Sequence, residues 1–339
     1  MANYFKWGFI AIAAVWAAMI GTMVGFAWNM SQMPKKLPEM EQPPVQNTNI
    51  SIETQEKMEG YWTVAVFGVD ARNGNLEKET RSDMQMVFNI NLGTGEMRVV
   101  SVYRDTYLKL NKKGRYGKIN DAYFLGGPAQ AVEAFSVNLD LSIDDYAAFS
   151  WKAVAEAINL LDGIDVDISH EEFRLINGFI TETVESTGIG SHHLKKEGMN
   201  HLDGVQAVAY ARLRKMDTDF KRTERQRKVA DLVIQKAREA DLGTLNKVAS
   251  VVLPQISTSI GMKDILPLIK NARRFHLTAS EGFPYKVKDA MIGEKDCVVP
   301  IDMVDSVKHL HQFLFDDEEY QPSEAVKEIG KIIKSRVSK

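Results

Sequence analysis

Apolar and polar positions alternate along this chain of 339 residues in three distinct ways. Residues 7–28 form one long apolar run without a charge, bracketed by Trp7 and Trp28. Farther on, segments near 62–70, 84–91, 96–104 and 162–168, rich in apolar residues, read as buried strands. Apolar residues recur at helical spacing near 127–138, 150–160, 203–213 and 222–240. Strands interleaved with helices predict an α/β domain, a three-layer sandwich with a mixed central β-sheet flanked by helices.

The first run is of another kind. Its length suits a bilayer span, which needs roughly 20 apolar residues, and tryptophans favour the membrane interface. It exceeds a signal-peptide core of about 7–15 residues. The expectation is an uncleaved transmembrane helix over 7–28, the alternative being a signal peptide cut near Phe26-Ala27. Residues 1–6 would be a short cytoplasmic N-terminus. Residues 29–60, with Pro34, Pro38, Pro43 and Pro44, would be an extracellular semi-rigid stalk. Residues 61–339 would form the extracellular folded domain, with its informative motifs within 61–240. No second run of such length occurs, so the predicted protein is single-pass. Lys6 on one side and Lys35 and Lys36 on the other nearly balance, so flanking charge leaves the orientation to the chemistry below.

Composition excludes several classes. Lys and Arg number 42 against 45 Asp and Glu, a formal charge of −3, which lacks the basic balance of nucleic-acid modules. Cys297 is the one cysteine and reads as a packing residue, so no intrachain disulfide forms. No P-loop, GxSxG, HExxH, GxGxxG or CxxC motif is present. His192-His193 and His309/His311 lack the spacing of metal ligands.

Against that balance, positive charge is concentrated between Tyr210 and Lys228. The segment holds Arg212, Arg214, Lys215, Lys221, Arg222, Arg225, Arg227 and Lys228, opposed only by Asp217, Asp219 and Glu224. Guanidinium groups offer a planar fork of donors suited to phosphate oxygens. From Arg222 onward the pattern is helical, with Arg222, Gln226, Val229 and Val233 on one face and Arg225, Leu232 and Ile234 beside it. Because that stripe turns apolar after two turns, it should face the core and carry Arg222, Arg225 and Gln226 inward. Arg227 and Lys228 should point to solvent. Upstream, Asp203 is placed to cap a helix from Gly204 with Gln206 in the capping-box position. Arg212 then falls on its inner face and Arg214 at or beyond its end.

A second concentration of charge sits on a hairpin. Residues 84–91 and 96–103 read as strands joined by the turn Leu92-Gly93-Thr94-Gly95. Centring the turn on Gly93-Thr94 sets Asp83 directly opposite Arg104, with Cβ atoms about 4.5–5.5 Å apart. Arg81, Ser82, Asp105 and Thr106 crowd the same end, and the strand at 62–70 runs into Asp70. Carboxylates beside arginines suit a metal and a phosphate together. Mg²⁺ often binds through one or two carboxylates plus substrate phosphate oxygens, and arginines stabilise the charge that develops there.

Seven segments stand in an order that identifies a resemblance. They are Phe-Gly-Val-Asp-Ala-Arg (67–72), Arg-Ser-Asp (81–83), Ser-Val-Tyr-Arg-Asp-Thr-Tyr (101–107), Lys-Ile-Asn-Asp-Ala-Tyr (118–123), Leu-Asp-Gly-Ile-Asp-Val-Asp (161–167), the run from His201 to Lys215, and Asp-Phe-Lys-Arg-Thr-Glu-Arg-Gln-Arg (219–227). The chain resembles the LytR–CpsA–Psr family of cell-wall glycopolymer ligases, strongly over about 60–240. It departs from the family's usual pattern at Met84-Gln85, where Thr and an apolar residue are common, and at Tyr103, where Pro is usual. Neither change removes a charged group.

The resemblance implies a membrane-anchored phosphotransferase. Such enzymes take a glycopolymer from a polyprenyl-pyrophosphate carrier and transfer it, with the phosphate next to the sugar, to a peptidoglycan hydroxyl. The polymer is wall teichoic acid, capsule or a similar chain. By the same resemblance Asp70 and Asp83 hold Mg²⁺. Arg81, Arg104, Arg212, Arg214 and Arg222 bind the pyrophosphate, Arg225 and Gln226 support them, and all share one pocket. Asp70, Asp83, Arg104, Arg212, Arg214 and Arg222 form the expected catalytic set. The partners expected are the lipid-linked polymer, the peptidoglycan acceptor and the membrane, with no nucleic acid. The location expected is the cell membrane, N-terminus cytoplasmic and catalytic domain extracellular. Two alternatives stay open: a hydrolase of the same pyrophosphate, and a non-catalytic membrane-anchored regulator.

Overall fold

A computed structural model describes residues 47–71, 76–77, 79–214, 219–260 and 276–337. The transmembrane helix expected at 7–28 and the cleavage site weighed against it lie outside the described residues. Among those residues no helix is long and apolar enough to cross a membrane. The strands are β1 (Tyr61–Val69), β2 (Ser82–Asn91), β3 (Glu96–Val102), β4 (Tyr107–Lys109), β5 (Tyr116–Lys118), β6 (Asp145–Ser150), β7 (Ile164–Ile168), β8 (Gly198–Leu202), β9 (Ile256–Thr258), β10 (His276–Phe283), β11 (Val287–Ile292) and β12 (Lys295–Pro300). The α-helices are α1 (Ile52–Met58), α2 (Asn120–Leu139), α3 (Trp151–Leu160), α4 (His170–Thr187), α5 (Gly204–Arg212), α6 (Asp219–Glu239), α7 (Leu242–Val252), α8 (Met303–Phe315) and α9 (Glu324–Val337). The architecture is α/β, a mixed central sheet flanked by helices.

The chain divides into two compact units. One is built from Gln42–Val69, Leu76–Ala148 and Ala279–Lys339 and holds most of the sheet, in the order β10-β3-β2-β1-β6. β1, β2 and β3 pair antiparallel. β1 and β6 start at the same end, where Asp144 accepts a hydrogen bond from the Thr63 amide at 2.7 Å and donates its own amide to the Thr63 carbonyl. These neighbours therefore run parallel, which makes the sheet mixed. Both faces of the strands are buried, as their richness in apolar residues requires: Ala65, Phe67 and Val100 on one, Val66, Met86 and Val99 on the other. Phe67 packs against Tyr123 and Phe135 of α2.

Two expectations need correction here. The stalk does not extend to residue 60. Ser51 caps α1, Thr54 and Met58 are buried, and the buried Asn47 side chain donates to the Ser136 carbonyl at 2.7 Å. Apolar burial and a satisfied amide make 47–60 part of the folded unit. In addition, α2 starts at Asn120, not near 127. Gly126 and Gly127 are non-helical, but helical turns continue on both sides. Gly127, at φ 67°, has no room for a Cβ against the Glu77 carbonyl oxygen, 1.8 Å from where that atom would stand.

The other unit comprises Asp70–Asn75 and Phe149–Thr278. It pairs β7 with β8 antiparallel, Ile164 opposite Leu202, and packs α5 among α3, α4 and α6. Asp203 and Gln206 form the expected capping box at the start of α5. Gly204 is dictated by proximity, since a Cβ there would stand 1.9 Å from the Ala155 carbonyl oxygen of α3.

Candidate active site

In the sheet-bearing unit the hairpin register is the one the turn specifies. Met86 faces Ser101, Val87 faces Val100 and Ile90 faces Met97. Continued to the open end, that register sets Asp83 opposite Arg104, and the Arg104 guanidinium donates a hydrogen bond to the Asp83 carboxylate. Strand β3 stops at Val102, two residues earlier than the apolar run suggests, so Arg104 stands on the turn that follows. Its Nε lies 3.6 Å from Asp105, which is also 3.1 Å from Lys118 Nζ. Asp83 remains 28% exposed, so its carboxylate meets both the arginine and solvent.

Arg81, two residues before Asp83, turns to the first turn of α2. Its Nε donates to Asp121 Oδ1 at 2.9 Å, and Lys295 Nζ donates to the other oxygen at 2.9 Å. Burial opposes ionisation of Asp121, but the bonds from Lys295 and Arg81 outweigh it and hold the carboxyl below its usual range. Sequence reading gives no role to Lys118, Asp121 or Lys295. Asp121 lies within a quoted segment, whereas Lys295 follows the β11–β12 turn, 174 residues from its partner, with no local signal.

In the other unit, Arg212 closes α5. Its Nη1 donates to Thr183 Oγ1 at 3.0 Å, and its Nη2 lies 3.8 Å from Asp70 Oδ2. Leu213 is the C-cap, and Arg214 follows it, exposed. Helix α6 presents the expected inward stripe: Arg222, Arg225, Gln226, Val229 and Val233 are all buried, Arg222 to 3% exposure. Such burial of an arginine requires compensation, and for Arg225 it is explicit. Its Nε donates to Glu172 at 2.8 Å and its Nη1 to the Leu213 carbonyl at 3.1 Å. Glu172 also completes the capping box of α4 with Ser169. Burial disfavours the Glu172 carboxylate, yet the bond from Arg225 and the cap leave its pKa lowered. Arg225 therefore anchors the chain that carries Arg212 and Arg214. Lys228 is exposed and lies 5.6 Å from the centre of the Tyr210 ring. Arg227 is half-buried, not solvated as the pattern suggests. Lys215 and Asp217 lie outside the described residues.

Each unit thus joins a partly exposed carboxylate to an arginine. Among the described residues no group of three or more His, Cys, Asp or Glu gathers closely enough to hold a metal alone. The donors present fit an ion that also takes its ligands from a phosphate: hard carboxylate oxygens, accessible to solvent, beside guanidinium groups.

This fold and these pairs define an α/β protein equipped to handle a phosphorylated substrate. The LytR_cpsA_psr family model matches residues 26–308, and the chain belongs to that family. A Bacillus cereus polyisoprenyl-teichoic acid–peptidoglycan teichoic acid transferase, TagU, is 30% identical over 284 residues, covering 82% of this chain and 82% of that protein. An uncharacterized Staphylococcus aureus protein is 28% identical over 74% of this chain, and the match spans 57% of that longer protein. Among solved structures, TagT bound to LIIa-WTA superposes with a TM-score of 0.57 at 20% identity, covering 87% of this chain and 97% of that one. At that identity the likeness concerns the fold.

Proposed function

We propose that this protein transfers a glycopolymer, together with its phosphate, from a polyprenyl-pyrophosphate carrier to a hydroxyl of peptidoglycan. Membership of the family and the transferase name of its Bacillus cereus relative support the reaction class. The carrying observation is the pairing of Asp83 with Arg104 and of Asp70 with Arg212, each residue at or just past the end of a strand or helix.

The acceptor oxygen attacks the phosphorus next to the sugar, and the bond from that phosphorus to the bridging oxygen breaks. Polyprenyl phosphate departs, and the hydroxyl proton passes to an aspartate, Asp70 or Asp83. Arg81, Arg104, Arg212, Arg214 and Arg222 supply forked donors to the non-bridging oxygens, which carry more charge in the transition state than in the bound substrate. Arg225 and Gln226 keep the arginine-bearing segments in place. Asp70 and Asp83 would hold Mg²⁺, which when bound neutralises charge on the phosphate oxygens. An anchor at 7–28 would set the domain outside the cell, on the side where peptidoglycan lies.

The test uses the full chain in detergent with a short polyprenyl-pyrophosphate sugar, Mg²⁺ and peptidoglycan fragments, read by mass spectrometry. A phosphate-linked sugar on the glycan is expected, lost on chelation and in Asp83→Ala. Release of free phosphorylated sugar without attachment would replace transfer by hydrolysis.

A further inference from the structure

Phe124 is a large aromatic side chain that keeps 39% exposure in the middle of a charged cluster. The Arg81 guanidinium lies 5.3 Å from its ring centre. Arg81 and Lys295 occupy the two oxygens of Asp121, whose side chain is only 9% exposed, while the two cations keep 57% and 54% of theirs. One buried carboxylate thus fixes two cations at its rim, beside a ring that is open to solvent.

The platform is held by backbone. The Phe124 carbonyl accepts the Glu79 amide at 3.1 Å, the Tyr123 hydroxyl donates to the Leu76 carbonyl, and the Gly126–Gly127 kink ends the turn that carries the ring. Lys295 arrives on the β11–β12 hairpin, which is tied to the Arg104 turn by the Val298 amide on the Asp105 carbonyl at 3.0 Å.

We infer that Phe124 and Lys295, flanking the phosphate-binding Arg81, form a sugar subsite, which takes the pyranose attached to the transferred phosphate. A pyranose has an apolar C–H face that covers an aromatic ring, and its hydroxyls accept hydrogen bonds from the remaining donors of the Lys295 ammonium. Pyrophosphate alone would engage Arg81 and leave the ring and Lys295 to water. Asp121 is a positioning residue, acting by fixing Arg81 and Lys295.

This inference rests on the transferase reading, and its experiment separates the two. Binding of three probes to the full chain in detergent is measured: a prenyl pyrophosphate, the same lipid bearing one N-acetylhexosamine, and a peptidoglycan disaccharide. Phe124→Ala and Lys295→Gln should each weaken the sugar-bearing lipid by about tenfold and the bare lipid by less than about twofold, with Phe124→Tyr restoring affinity. Both positions are solvent-exposed, and an unchanged melting temperature verifies the fold. Equal losses for both lipids, or no loss, overturn the subsite. A loss confined to the disaccharide overturns its assignment to the donor sugar. Failure of the unsubstituted protein to bind either lipid overturns the transferase reading itself, and the subsite with it.

Discussion

Asp83 and Arg104 face each other across the open end of the β2–β3 hairpin and share a charged hydrogen bond. Neither is needed for the core, since both lie at a strand end with solvent access. Asp83→Ala and Arg104→Ala should each lower transfer by about 100-fold or more, the range for removing a preorganised charge at a developing anion. The melting temperature should stay within a few degrees. Single-turnover rates with purified variants check this, and near-normal transfer by either variant would remove the pair from the chemistry.

Arg222 and Arg227 differ in burial on one helix. Arg222 lies on the stripe that continues into Val229 and Val233, and Arg227 is half-buried off it. Arg222→Ala should cost transfer severely, whereas Arg227→Ala should change it by less than about threefold, as substitutions away from key contacts usually do. A loss for Arg227→Ala as large as for Arg222→Ala would reverse the assignment of the faces.

Arg225 is held by Glu172 and the Leu213 carbonyl, in a site from which both charged groups are largely excluded from water. Removing one partner strands the other, a cost of about 3–5 kcal/mol, whereas an apolar replacement of both is far milder. Denaturant unfolding of Arg225→Ala should show that loss, and the double variant Arg225→Met/Glu172→Leu should recover much of it. Equal stability of the two would mean that the pair contributes little to holding α6 on α4.

The C-terminal helices carry a pH-sensitive knot. His311 is buried, stacked 3.6 Å from the Tyr320 ring, with Nε2 donating to the Leu139 carbonyl at 3.0 Å. Burial lowers its pKa to about 4, against the partial opposition of the backbone bonds. Its unfolded value is near 6.5, so between those limits the unfolded chain binds more protons. The stability from neutral His311 is therefore complete above pH 6.5 and is lost as pH falls toward 4, by about 3 kcal/mol in all. Asp140 sits in the same knot, bonded to Tyr320 and Ser323, and its carboxyl is raised mainly by burial, so its contribution runs in the opposite sense. The difference between the unsubstituted protein and His311→Asn isolates the histidine, and parallel pH profiles would refute the assignment.

The parts of this architecture that were legible in the sequence are those with a local pattern. The hairpin register follows from the turn Leu92–Gly95, centred on Gly93-Thr94, and alternating faces. The inward arginines of α6 follow from an apolar stripe that runs on past them, and the cap of α5 from Asp203 and Gln206. Illegible parts depend on distance along the chain. Lys295 meets Asp121 across 174 positions, and nothing near either residue announces the other. Arg225 could be placed inward from its helix phase, but only the fold shows that Glu172 occupies it. The half-burial of Arg227 likewise depends on what packs beside α6, which helix phase does not encode.

Surface turns ordinarily tolerate insertions, because they carry no packing. The turn after β2 is an exception of a particular kind. Nine positions from Asp83, at roughly 3.3 Å for each, it acts as the gauge by which two distant ends are brought level. One residue added between Asn91 and Glu96 would leave the strands able to pair, yet the shifted register would send Asp83 and Arg104 to opposite faces. The length of a solvent-exposed loop is thereby fixed by chemistry about 30 Å away, and an indel there would pass for a harmless surface change in every assay except turnover.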